Sequence, residues 1–196
     1  MTAPTWETET TMTSQNRPQL KEHTTMDNAL TTHTGFRFEV RRARPEDEPT
    51  LAEFFTHVTA DDLRFRFLGA VKEVSHERLV AMTRSDDAHI HNFLAFSIEG
   101  MLIAVATLAS DRADRSGEVA ICIRQDRKHL GVGWELLAYV AKYAQELGLK
   151  AIESIESREN RAAIEVERDM GFTVTTDPDD ATLVLVRREL GARSAA

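Results

Sequence analysis

Ile121-Cys122-Ile123-Arg124-Gln125-Asp126-Arg127-Lys128-His129-Leu130-Gly131-Val132-Gly133-Trp134-Glu135-Leu136-Leu137 is the stretch on which the reading of this chain turns. An apolar strand ends at Ile123, a mostly polar linker follows, and two glycines then open an amphipathic helix. Glycines at a helix start let backbone N–H groups approach an anion closely, and the helix dipole favours its charge. Arg124, Arg127, Lys128 and His129 add basic character beside those donors, so the segment reads as a phosphate-binding turn. A P-loop needs Lys and then Ser or Thr after its second glycine, and Trp134 and Glu135 stand there instead. A dinucleotide-binding turn would place a third glycine where Leu136 lies, and the charged linker is long for that tight turn, although Glu153 falls near the position of its ribose-binding acid. An ordinary glycine-containing helix start also remains open on these residues alone.

Working outward, the helix is expected over 133–147, ended by Gly148, with a strand over 151–155 behind it. A further helix is expected over 161–170, stopped by Gly171, and two strands over 172–175 and 182–188. Upstream, strands are expected over 89–98, 101–109 and 118–124, turned by Gly100 and by the polar stretch 111–117. Nearer the start, Phe36, Phe38 and Val40 alternate with Arg37, Glu39 and Arg41 as in a half-buried strand. Pro45 and the acids after it open a helix carrying Leu51, Phe54, Phe55 and Val58. Leu63, Phe65 and Phe67 mark a second short helix, and Ser75 caps a third bearing Leu79, Val80 and Met82. An antiparallel meander followed by a βαβ crossover implies an α/β (α+β) fold: one mixed, mostly antiparallel twisted sheet with helices on its faces.

Residues 1–34 show neither helical nor strand period and few large apolar side chains, so they are expected to form a disordered tail before a domain spanning 35–190, with 191–196 a flexible end. The tail lacks an apolar h-region and is not expected to act as a secretory signal. No apolar run nears the roughly 18 residues of a membrane span, so no membrane partner is expected. The net charge of -8 argues against general nucleic-acid binding. Cys122 is the lone cysteine, so no intrachain disulfide can form, which suits a reducing cytoplasm.

Lys128-His129-Leu130-Gly131-Val132-Gly133 resembles the Arg/Gln-x-x-Gly-x-Gly/Ala pyrophosphate motif of the GNAT acetyltransferase superfamily, with Lys128 keeping a cation at its start. Asn160-Arg161-Ala162-Ala163-Ile164 followed by Met170-Gly171-Phe172 resembles that superfamily's second signature. The likeness covers 36–190. Within it, Arg44-Pro45-Glu46-Asp47-Glu48-Pro49 and Lys72-Glu73-Val74-Ser75-His76-Glu77-Arg78-Leu79 are similar to bacterial protein-lysine acetyltransferases of the Pat type.

The resemblance implies a GNAT fold using acetyl-CoA as co-substrate. The main chain of Ile121, Cys122 and Ile123 would meet pantetheine and the thioester, one N–H stabilising the oxyanion by about 3–4 kcal/mol. The backbone of His129, Leu130, Gly131, Val132, Gly133 and Trp134 would cradle the pyrophosphate. Asn160 would touch the cofactor arm or serve as a helix N-cap. A lysine acceptor is mostly protonated at neutral pH, and Glu118, at the start of the motif strand, is the candidate general base; a solvated carboxylate is the alternative. Glu167 departs from the family, standing where a Tyr usually reprotonates the CoA thiolate; a carboxyl group can donate there only if burial raises its pKa.

Cys122, between Ile121 and Ile123, reads as a buried thiol rather than a nucleophile. No His, Cys or Asp spacing makes a metal site, and His89 and His91 read as neighbours on one strand face. Phe65 and Phe67, with Arg64 and Arg66, fall where the fold closes over an acceptor, or else pack in the core. Two functions follow: an acetyl-CoA-dependent N-acetyltransferase acting on a protein lysine or a small amine, or a GNAT-like sensor that binds acyl-CoA without turnover. Acceptor, acyl length and oligomeric state, a homodimer included, are left open by the sequence.

Overall fold

The computed structural model describes residues 28–84, 87–110 and 115–191. Its strands are β1 (Ala29–Thr31), β2 (Arg37–Arg42), β3 (Ile90–Ser97), β4 (Leu102–Ser110), β5 (Ser116–Ile123), β6 (Ala151–Ser157), β7 (Thr173–Thr176) and β8 (Leu183–Glu189). The α-helices are α1 (Glu48–Thr56), α2 (Ala60–Phe67), α3 (His76–Thr83), α4 (Val132–Leu147) and α5 (Arg161–Asp169). The strands form one sheet in the order β1-β2-β3-β4-β5-β6-β8-β7, with β5 and β6 parallel and every other neighbouring pair antiparallel. The expected element order holds, with one strand added at the front.

That strand corrects the expected tail boundary. Residues 28–34 fall within the segment anticipated as tail, yet Ala29–Thr31 pairs with Arg37–Glu39. Leu30 packs against the core and Thr32 is buried. Three residues are too few to show a period, so this strand is specified by its pairing rather than by local pattern. The rest of the expected tail, 1–27, and residues 192–196 lie outside the described residues.

The sheet is buried on both sides. On one face α4 sets Leu136, Leu137, Val140 and Ala144 against Phe93, Ile103, Leu108 and Ile152. On the other, Leu51, Phe54, Phe55, Leu63 and Leu79 of α1–α3 cover Leu94, Leu102, Val105 and Cys122. Coverage of both faces explains why β4 is a nearly continuous apolar run and why β3 is buried along most of its length. The acids expected to open α1 do more than complement its dipole. Asp47 is buried, takes a bidentate bond from Arg41 (2.6 and 2.7 Å) and accepts from the Arg44 backbone N–H (2.8 Å). The Arg41 hydrogen bond holds the Asp47 carboxyl below its ordinary pKa.

What positions the site is the junction of β5 and β6. They pair only at Ser116↔Ala151, Gly117↔Ile152 and Glu118↔Glu153. Beyond Glu118, β5 stays bonded to β4 as far as Ile123↔Ala104, and β6 to β8 as far as Ser157↔Leu183. The two strands therefore part while each keeps its outer neighbour, and the inner edge of residues 119–123 gains no partner from β6. At the closed end the sheet is tightly covered: a Cβ on Gly117 would come within 2.7 Å of Leu108 and 2.8 Å of Leu149.

Candidate active site

The parting of β5 and β6 opens into a cavity of about 1140 Å³. Its walls are the open stretch of β5, the loop and first turn of α4, the end of β6 and the start of α5, with Phe65 and Arg66 of α2 closing one side. Strand alternation sorts the β5 side chains. Glu118, Ala120 and Cys122 face the side covered by α1–α3, whereas Val119, Ile121 and Ile123 pack with the α4 cluster. Burial pushes the Cys122 thiol up to about 12, so it stays protonated and the nucleophile reading is set aside.

After β5 the chain makes a tight turn, Gln125–Arg127, and reaches α4 through two left-handed residues, His129 (φ 63°) and Gly131 (φ 84°). Gly131 is the N-cap, so the helix begins one residue earlier than expected, at Val132. The first N–H groups of a helix have no intrahelical acceptor, and residues 132–134, which carry them, line one end of the cavity. Gly133 lies against β5: a Cβ there would come within 3.0 Å of Ile123 Cδ1.

The basic complement of this turn is partly engaged by acids. Arg124 is buried and turned away, its Nε donating to Asp126 (2.9 Å) and a terminal nitrogen to Glu53 (3.2 Å). It does not line the cavity, which corrects its expected place beside the donors. Lys128 does line the cavity, but its ammonium is held by both carboxylate oxygens of Asp62 on α2, at 2.6 and 2.7 Å.

At the other end of the cavity stand carboxyl groups. Glu118 is solvent-exposed at the last position of β5 that pairs with β6. Asn160 occupies the N-cap position of α5 but makes no side-chain cap; its amide donates instead to Glu156 Oε2 at 2.7 Å. Burial raises Glu156 to about 7, against the Asn160 hydrogen bond and the Arg66 charge, which lower it. Glu167 is 4% exposed, accepts from Ser154 Oγ, and leaves Oε2 without a partner among the described residues. Burial, with the charge of Glu156 adding, pushes its carboxyl up to about 8, so Glu167 holds a proton at neutral pH. Arg66 reaches into the same space and donates to Thr107 Oγ1 at 2.8 Å.

Asp62, Ser154 and Glu156 escaped the sequence reading. Thr59 three residues before Asp62 has the spacing of a helix cap, which accounts for Asp62 locally but says nothing of Lys128, and Glu156 carries only a spacing of four to Asn160. His89 and His91 have different surroundings: His89 Nδ1 lies 3.2 Å from Ser110 Oγ, whereas His91 is buried, its Nδ1 beside Arg42 and Tyr143, and burial lowers its pKa to about 4. No helix among the described residues is long and apolar enough to cross a membrane.

Residues 37–173 match the family described as acetyltransferase (GNAT) domain. An acetyltransferase of Pseudomonas aeruginosa is 29% identical over 77% of this chain and 83% of its own length. The GNAT domain of S. lividans PAT has the same fold, with a TM-score of 0.76 at 22% identity over 83% of this chain and 96% of that one. So does a spermidine N-acetyltransferase of Vibrio cholerae solved with CoA and spermine, at a TM-score of 0.63 and 16% identity over 78% and 94%. A third, from Salmonella typhimurium with its cofactor acetyl-CoA, gives 0.64 at 17% identity over 81% and 96%.

Proposed function

The chain belongs to the GNAT acetyltransferase family, and on that premise we propose that it transfers an acetyl group from acetyl-CoA directly to a primary amine, a protein lysine or a small-molecule amine, within a ternary complex. The observation that carries this reading is the opening between β5 and β6 joined to the glycine turn at the start of α4. The unpaired edge of Ile121, Cys122 and Ile123 offers backbone groups to an amide-bearing arm, much as a neighbouring strand would, and an N–H donor to a developing oxyanion. His129, Leu130, Gly131, Val132, Gly133 and Trp134 offer main-chain donors and the positive end of a 16-residue helix to a diphosphate. Lys128 holds α2 beside that turn through Asp62, and Asn160 steadies Glu156 at the thioester end.

The proton path runs through the carboxyl groups. Glu118 takes a proton from the acceptor's ammonium, directly or through a water, and the free amine then attacks the thioester carbonyl. Glu167, kept neutral by burial, returns one to the departing thiolate, filling the position where a tyrosine is usual. Glu118 and Glu156, which line the opening, suit a cationic acceptor, the class to which the spermine bound by the Vibrio relative belongs. Calorimetric titration with acetyl-CoA followed by a free-thiol assay across lysine peptides and polyamines tests this. Binding with amine-dependent thiol release is expected. Binding without release from any amine would favour the acyl-CoA sensor, and no binding would end both readings.

A further inference from the structure

The turn between β1 and β2 is pressed against the glycine turn of α4. Thr34 Oγ1 donates to the Leu130 carbonyl at 2.8 Å, and a Cβ added to Gly131 would come within 3.0 Å of His33 Nδ1. The turn is itself well held. Thr32 N–H bonds the Phe36 carbonyl and Gly35 N–H the Thr32 carbonyl, both at 2.9 Å, while the buried Thr32 hydroxyl meets Thr34 Oγ1 at 2.7 Å and accepts from Phe36 N–H at 3.1 Å. His33 is exposed, lines the cavity where 131–134 lie, and has no hydrogen-bond partner among the described residues. Of the four basic residues expected from sequence at this end, Arg124 is engaged by Glu53 and Asp126 and Lys128 by Asp62, while Arg127 and His129 line the cavity.

We propose that His33 is a cofactor-binding residue, its imidazole N–H donating to a phosphate oxygen of coenzyme A seated at the start of α4. This rests on the acetyl-CoA reading above and extends it to a part of the chain ahead of the residues matched by the family. The short β1 strand then has a purpose beyond covering a sheet edge: it carries a donor to the glycine turn.

The test compares the full chain with His33→Leu, of similar size but without a donor, and His33→Gln, which keeps an N–H. With CoA as the titrant, His33→Leu should raise Kd about tenfold, the loss of one charge-assisted hydrogen bond at a partly exposed site, while His33→Gln stays within about threefold of the parent. Melting temperatures without ligand should match in all three. If His33→Leu melts early, the comparison of His33→Gln with His33→Asp, each retaining a polar side chain, replaces it: Asp should bind far more weakly. Repeating the titration with 3′-dephospho-CoA locates the contact: a penalty that persists assigns it to the diphosphate, and one that vanishes assigns it to the 3′-phosphate. Equal CoA affinity for parent and variants overturns the proposal and leaves the acetyl-CoA reading standing. A parent chain that binds no CoA removes both.

Discussion

Glu167→Gln isolates the buried carboxyl in a single experiment. The group is 4% exposed, and burial lifts its pKa from 4.5 to about 8. Its folded pKa is raised, so its contribution to stability is fully present below the unfolded value near 4.5 and is lost as pH climbs through about 8. Across that window the unfolded chain has released a proton that the folded chain retains. Stability should therefore fall with pH by up to about 1.4 kcal/mol per unit, or about 2–3 kcal/mol from pH 6 to pH 8 for this group alone. Glu156, raised in the same direction, adds to the slope. Gln keeps the shape and the bond to Ser154 but does not titrate, so urea unfolding of Glu167→Gln at pH 6, 7, 8 and 9 should show a shallower decline than the parent. Its acetyl-transfer rate should drop at all pH values, whereas the parent's should fall only as Glu167 ionises above about pH 8. A stability slope identical in the two proteins would refute the claim that this carboxyl is protonated in the fold.

Other outcomes follow from the same geometry. Gly131→Ala forces a side chain into φ 84° and against His33, at a cost of about 1–2 kcal/mol in backbone strain, and should weaken CoA binding at least tenfold by calorimetry. Gly133→Ala meets only the movable end of Ile123 and should weaken it less. Glu118→Gln should leave acetyl-CoA affinity unchanged and lower kcat about a hundredfold or more; unchanged turnover would remove Glu118 as the base. Asp62→Asn releases Lys128 and should tighten CoA binding a few-fold at low salt, an effect that disappears as salt is raised.

The parts of this molecule legible from sequence are those whose information is local. The glycine pair, the apolar stripe of α4 and the alternation in β2 each state their own structure, and the two family signatures fixed the register between them. The remainder depends on chain segments far apart. Three residues of β1 show no period, and their place follows from pairing with Arg37–Glu39. Lys128 and Arg124 look like equivalent cations in sequence, yet Asp62 and Glu53 engage them from helices 66 and 71 residues away. Glu167 reads as a misplaced acid until Ser154 and the surrounding fold bury it, and only then does it acquire the proton that a tyrosine would have carried. The parting of β5 from β6 has no signature in its own residues at all; it was implied by resemblance and is visible as an abrupt end of pairing after Glu118.

A crystal structure of the full chain with acetyl-CoA tests the central claim most directly. Diphosphate oxygens within hydrogen-bond distance of the backbone N–H groups of Val132, Gly133 and Trp134, with the thioester arm lying along 119–123 between β5 and β6, is the result expected. Cofactor density elsewhere on the molecule, or β5 and β6 closed into continuous pairing past Glu118, would contradict it.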